Sequence, residues 1–309
     1  MKTRVFLTMV TLMAFAYNAE AQKGLLEILE KEQKDTVPRY TSATFKTTRI
    51  TYGHSVETRK KGILEVSASH RFWNTPELRS QKFGVDKLNV RIALEYAISD
   101  RLSTGLGGST WDGLFDGYLK YRLVRQRNDS KGAPFNITLF QNASYNSEAI
   151  TGPYATGEFS SRLSYTSQVL IARKFNSKFS LQISPTFIHR GLEGSPEDPN
   201  SHFALGFGGR YKLSNHVSLV SEYYTVFNPL ESMDTYGPFG LGINWEIGDV
   251  MLQFMLTNAP SMVEDAFIAR TRNNFNFKNP NLNFGFNFTY VIHFNRKLKG
   301  LKQTNTDRK

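Results

Sequence analysis

The sequence contains no cysteine, which excludes disulfides, thiol nucleophiles, thiolate-bound metals and a lipid-bearing cysteine behind an export signal. It lacks any uninterrupted apolar run of roughly 18 residues, so no segment reads as a membrane-spanning helix. No phosphate-binding glycine loop, zinc spacing, calcium loop or Gly-x-Ser-x-Gly nucleophile is present. The charge is unbalanced, formally +11, yet no basic run is long enough for a nucleic-acid arm. No enzymatic activity, cofactor, metal site or nucleic-acid partner is therefore expected. A basic balance suits anionic lipopolysaccharide head groups, with solvated surface charge as the plainer explanation.

What is present begins with an export signal over residues 1–21. Lys2 and Arg4 precede the apolar run Val5 to Tyr17, and Ala19-Glu20-Ala21 fits a small-x-small cleavage site. Any membrane role then falls to β-strands. The chain's negative mean hydropathy agrees, because a barrel strand needs only every second residue to be apolar.

Period-two alternation is clearest near the C-terminus. Leu282, Phe284, Phe286, Phe288, Tyr290, Ile292 and Phe294 share one face, and Asn283, Gly285, Asn287, Thr289 and His293 the other. Phe239 to Ile247 and Val90 to Ile98 repeat the pattern. A soluble β-sandwich would alternate in the same way with its apolar face inward. Strand length favours a barrel: several runs reach about 10 residues, enough to cross a bilayer when tilted, whereas globular strands usually have five or six.

Turn signals favour it too. Tight connections at Ser99-Asp100-Arg101, Asn176-Ser177-Lys178, Ser214-Asn215-His216 and Gly248-Asp249 alternate with the long stretches 75–86, 146–160, 191–201, 228–238 and 258–281. Twelve strands result, near 62–73, 87–98, 102–110, 115–126, 134–146, 159–174, 178–190, 202–213, 216–227, 237–247, 250–258 and 282–295. The expected fold is an all-β, transmembrane, antiparallel up-and-down barrel with short periplasmic turns and longer extracellular loops, in a bacterial outer membrane. Residues 22–42 form a periplasmic leader with a short amphipathic helix around Leu25 to Leu29 that Pro38 would end. Residues 296–309 read as a basic disordered tail.

Several stretches together resemble a family of Bacteroidota outer-membrane β-barrel proteins classed as a domain of unknown function. They are Ala43-Thr44-Phe45-Lys46-Thr47-Thr48-Arg49 with Gly53 to Glu57, Ser69 to Phe72, Leu94 to Leu102, Asp116 to Tyr121, Phe159 to Tyr165, Leu170 to Phe175, Glu197 to Asn200 and Leu205 to Lys212. The likeness spans residues 43–295. It implies the barrel and the compartment, and no activity, cofactor or catalytic residue.

With aromatic and branched residues facing lipid, the opposite parity places Glu65, Arg71, Arg91, Glu95, Lys120, Arg122, Arg162, Arg210, Lys212, Glu222 and Glu246 in the lumen. They form either a lattice of interior ion pairs or a polar conduit whose arginine excess favours anions. The polar segment 43–57, with Lys46, Arg49, His54 and Glu57, is open between an inward plug and a periplasmic strap. Function accordingly divides between a passive channel for small polar or anionic solutes and a non-conducting barrel that anchors a periplasmic or surface protein. His70 and His189 face outward, where an interfacial histidine beside aromatics is the simpler explanation than a lipid-cleaving site. Glu197, Asp198 and Asn200 read as an exposed acidic turn rather than a calcium site. Gly105, Gly107, Gly108, Gly206, Gly208 and Gly209 mark bends or the seats of bulky neighbours.

Overall fold

In the computed structural model the described residues are 38–73, 87–129, 132–148, 158–275 and 282–294. The chain divides into two units, Met1–Arg39 and Tyr40–Lys309, and the second carries the fold. The expected signal, most of the leader with its helix, and the tail lie outside the described residues.

Twelve antiparallel strands follow in order: β1 (Ile63–Trp73), β2 (Lys87–Ala97), β3 (Leu102–Ser109), β4 (Leu114–Val124), β5 (Asn136–Asn146), β6 (Leu163–Lys174), β7 (Phe179–Arg190), β8 (Ser201–Lys212), β9 (Val217–Val226), β10 (Phe239–Ile247), β11 (Val250–Thr257) and β12 (Asn283–His293). Each pairs with its sequence neighbours, and β12 returns to β1 in a register running from Ile63↔His293 to Phe72↔Phe284. The sheet is therefore a closed barrel without an edge, which satisfies the strand backbones internally as a bilayer requires.

The expected strand positions agree with those observed, with one larger departure. The strand expected from residue 159 starts at Leu163, because Ser160–Arg162 wind into a 3-10 turn. One further irregularity is chemical: the β6–β7 register passes from Gln168↔Thr186 to Ile171↔Ile183 across Pro185, which has no N–H for the ladder.

Alternation resolves into an apolar outside and a polar inside. Phe207, Trp245 and Phe284 are 46, 48 and 46 % exposed, while the inward Asn89, Thr138, Asn244 and Asn283 are buried. A sandwich would have these faces reversed. Exposed apolar surface costs about 25 cal/mol per Å² in water, a cost that a hydrocarbon surround removes. On the inner face two glycines make room for rings, since a Cβ at Gly105 would overlap Tyr118 and one at Gly206 would overlap Tyr224.

The core lies inside the ring of strands and is built largely from segments outside the strands. Phe45, Ile50 and Val56 pack with Tyr118, Phe140, Leu170 and Val220. Tyr52 packs with Phe267, Ile188 and Tyr224. Phe267 belongs to a short helix, α1 (Glu264–Ala269), in the β11–β12 connection, and all six of its residues are buried. That connection reads in the sequence as one more long loop; its middle instead folds back into the barrel.

Candidate functional site: a plugged lumen

Residues 43–57 enter from the short-turn end, where Thr41 bonds to the backbone of Gln126 and Lys174 Nζ donates to the Ser42 carbonyl. The segment rises as a narrow hairpin, with Arg49 bridged to His54 and the amide of Ile50 bonded to the Gly53 carbonyl. It then returns toward β1. Of the plug and the strap, this path is the plug.

Inward strand side chains hold it by its backbone. Lys120 Nζ donates to the carbonyls of Thr48 (3.1 Å) and Glu57 (2.7 Å). Arg210 donates to those of Ala43 (3.2 Å) and Thr44 (3.4 Å). Gln182, Gln253, Thr138 and Asn287 donate to His54, Ile50, Val56 and Thr51. At the tip the polarity reverses, because Glu222 Oε2 accepts from the amides of Thr51, Tyr52 and Gly53, each at 3.1 Å, and from the Thr51 hydroxyl at 2.7 Å.

Most of the charges expected in the lumen bond the plug or the residues just after it, and fewer pair strand with strand. Glu65 pairs with Arg59 (2.6 Å), Arg122 with Glu57 (2.8 Å) and Glu246 with Lys46 (2.6 Å), each partner lying in or just after the plug. Arg91 is joined to a strand residue, with Nη2 donating to both oxygens of Asp116 (2.7 and 2.6 Å). Arg71 is 1 % exposed and donates to Asn287 Oδ1 and to the carbonyl of His70, both at 2.8 Å. Glu95 accepts from the Tyr118 hydroxyl at 2.9 Å.

Two of the eleven lie elsewhere. Arg162 keeps the inward parity but sits in the 3-10 turn before β6, donating to the carbonyls of Asn146, Ser147 and Glu148. Lys212 ends β8 and bonds Asn215 in the following turn. Both are rim residues, Arg162 just before its ladder begins and Lys212 on the last rung of its own.

A second polar knot closes the lumen from the long-loop side. Glu264 of α1 bonds Arg49 of the plug (2.9 Å) and Asn142 (2.9 Å), and Asp265 bonds Ser144 (2.8 Å) and Arg190. The plug and α1 also meet ring to ring, Tyr52 against Phe267 at 4.9 Å between centroids. Glu193, in the β7–β8 loop, faces Arg190 (2.9 Å), Arg270 and His202 (3.5 Å). Burial alone would raise the Glu193 carboxyl, but the His202 contact and the charges of Arg190 and Arg270 outweigh it and hold its pKa below the ordinary carboxylate range. Asp198 pins two loops together, accepting from the amides of Glu231 and Ser232, both at 2.9 Å, and from the Ser232 hydroxyl.

Sequence reasoning missed Asp116 and Arg190, although both keep the inward parity of β4 and β7. It missed Glu264 and Asp265 for lack of any signal, since a loop has no parity. Outside the barrel, His70 stacks on Phe72 at 6.0 Å between centroids. His189 Nδ1 lies 2.9 Å from Ser201 Oγ, and no side chain bonds the other ring nitrogen among the described residues.

A family model described as a membrane bound beta barrel domain (DUF5777) matches residues 45–292. No curated protein matches the chain. Among solved structures, the KdgM porin aligns at 9 % identity over 74 % of this chain and 99 % of its own, with a TM-score of 0.47. The COG4313 outer membrane channel from Pseudomonas putida F1 aligns at 15 % identity over 76 and 97 %, TM-score 0.41, and the CymD monoaromatic hydrocarbon channel at 8 % over 76 and 89 %, TM-score 0.38.

Proposed function

Because this chain belongs to the DUF5777 family of membrane-bound β-barrel domains, we propose that it is an outer-membrane conduit for small polar solutes, shut at rest by residues 43–57 and opened when that segment leaves the lumen. The observation that carries this reading is that the inward strand side chains alone do not fill the lumen. A barrel built to be solid fills its interior with side chains of its own strands. Here Ser67, Ala93, Ser103, Thr138, Ser144, Ser180 and Ser184 point inward, and the space they leave is occupied by a separate, hydrogen-bonded segment.

Such bonds exchange readily for bonds to water, each contributing a net of only about 1 kcal/mol, so withdrawal of the plug is feasible where removal of a strand is not. Withdrawal would free Lys120, Arg122 and Arg210 on some walls and Glu65, Glu95 and Glu222 on others, a lining that suits polar solutes, anions among them. The even strand number places both barrel ends on the short-turn side, the periplasm in such barrels. A protein partner that draws the plug out would act from there.

Planar-bilayer recording tests the reading. The intact protein is expected to give little current, and deletion of residues 43–57 to raise conductance at least tenfold. The filled lumen equally favours a non-conducting anchor for a protein partner. A deletion variant that folds, by circular dichroism, and stays silent would leave that second reading standing.

A further inference from the structure

The exposed charge of the barrel is divided along its axis. At the short-turn end Lys60, Lys61, Arg101, Arg173 and Lys178 are exposed, with no carboxylate within salt-bridge distance among the described residues. The acids at that end are largely taken up: Glu57 by Arg122, Glu65 by Arg59, Glu246 by Lys46 and Asp129 by Arg127. Asp100 stays exposed and offsets part of the positive charge, accepting from the amide of Lys61 at 2.9 Å. At the long-loop end the exposed charge is mainly acidic, Glu148, Glu158, Glu197, Glu231 and Asp234 against Lys87 and Arg272. The long loops of such barrels are extracellular, on the side of the lipopolysaccharide leaflet. The exposed basic excess therefore faces the other leaflet.

The five cations border the short-turn edge of the apolar wall. Arg173 lies over the ring of Phe175, 5.2 Å to its centroid, and that ring is 53 % exposed. The carbonyl of Arg101 accepts from the amide of Arg122 at 2.7 Å, which sets Arg101 beside the exposed Tyr121. In the same way the carbonyl of Lys178 accepts from the amide of Lys212 at 2.7 Å, beside the exposed Tyr211. Lys60 and Lys61 precede Gly62, whose amide bonds the Ala97 carbonyl next to the exposed Ile98. A long cationic side chain at the edge of an apolar wall extends its charge from hydrocarbon into the headgroup layer. The cations run from the entry to β1 through the β2–β3 turn to the β6–β7 turn, an arc that follows the outside of the wall, where the neighbour is lipid. We propose that this arc binds anionic phospholipid headgroups of the leaflet at the short-turn end. Arginine holds a phosphate by two parallel hydrogen bonds, and the inference stands whether or not the lumen conducts.

The cysteine-free chain allows a single bimane-labelled cysteine at Ser177, in the β6–β7 turn, or at Ser147, beyond β5 at the long-loop end, both exposed. The full-length protein is placed in phosphatidylcholine vesicles. Nitroxide-bearing phosphatidylglycerol should quench the S177C label at about fivefold lower mole fraction than nitroxide-bearing phosphatidylcholine, the gain expected from one surface cation. At S147C the two lipids should quench alike. The double substitution R173Q/K178Q should abolish the preference at S177C. Salt at about 1 M, where the screening length is about 3 Å, should weaken it with Arg173 and Lys178 in place. Equal quenching by the two lipids at S177C, or the same preference at S147C, would overturn the proposal. A preference that survives both R173Q/K178Q and high salt would overturn the role of the cations. Salt-sensitive binding of soluble polyglutamate without any lipid preference would assign the arc to an acidic protein instead.

Discussion

Glu222 on β9 and Gly53 at the tip of the plug meet at 3.1 Å, carboxylate oxygen to amide nitrogen, an approach that a side chain on the plug residue would disturb. A Cβ at Gly53 would overlap both the second Glu222 oxygen and the Tyr224 hydroxyl. Tyr224 in turn donates to that second oxygen at 3.0 Å. One strand carboxylate is thereby saturated by the plug's backbone on one side and by a strand tyrosine on the other. Glu222→Ala would leave the tip amides without their acceptor, at about 1–3 kcal/mol for each one left dry. The expected outcome is a loosened plug in an intact barrel: unchanged strand content by circular dichroism, with channel openings several-fold more frequent than in the intact protein. Gly53→Val should act in the same direction through overlap, and conductance at the unmodified level in both variants would rule out the Glu222 clamp.

The plug and the inward helix are bound to each other through Arg49 and Glu264 at 2.9 Å, a contact that links the two ends of the lumen. Each single charge reversal should leave a buried like-charge contact, and the double reversal R49E/E264R should recover most of what either loses. In a double-mutant cycle read by thermal unfolding, contacting residues typically couple by about 0.5–3 kcal/mol. Strict additivity would mean that plug and helix are held independently by the wall.

Arg91 and Asp116 form an ion pair between two inward strand positions, buried at 3 and 0 % side-chain exposure. Removing one member of such a pair strands the other charge and costs about 3–5 kcal/mol, whereas replacing both with apolar residues of similar volume is often close to neutral. Arg91→Met should therefore lower the unfolding midpoint in detergent more than R91M/D116L does. The reverse order would argue that the pair contributes stability beyond its own desolvation.

Acid should loosen the long-loop side before the barrel. Glu193 has a folded pKa below its ordinary value of 4.5 because the contacts to His202, Arg190 and Arg270 outweigh burial. A depressed carboxylate contributes stability that is complete above the unfolded pKa and is lost as pH falls through the folded one. Asp198, also depressed by the Ser232 and Glu231 donors despite some desolvation, follows the same sign. Limited proteolysis within 191–200 and 228–238 is expected to be flat above about pH 5 and to accelerate below pH 4, and E193Q should abolish the Glu193 share of that change. Acceleration on raising the pH instead would contradict the ion-pair account.

Much of the wall was legible because its code is local. Phe284, Phe286, Phe288 and Tyr290 against Asn283, Gly285, Asn287 and Thr289 specify a strand with two unlike faces, and Ser214-Asn215-His216 or Gly248-Asp249 specify where one strand ends. Parity alone put Arg71, Arg91, Glu95, Lys120, Arg210 and Glu222 on the inner face, where they are buried. It placed Arg162 and Lys212 there too, but they sit at the rim, one before the ladder begins and one at its last rung.

By itself, then, the sequence determined the number of strands, their order, and which side of each faces inward, since period-two alternation and short turns involve only neighbours in the chain. Tertiary structure decided what fills the ring. Thr51 finds Glu222 across 171 positions and Arg49 finds Glu264 across 215, and neither segment carries a periodic pattern to announce its partner. A plug and a strap have the same composition. Only closure of the barrel, which brings Lys120, Arg210 and Glu222 around one polar space, gives the backbone of residues 43–57 the hydrogen bonds that make the inside its place.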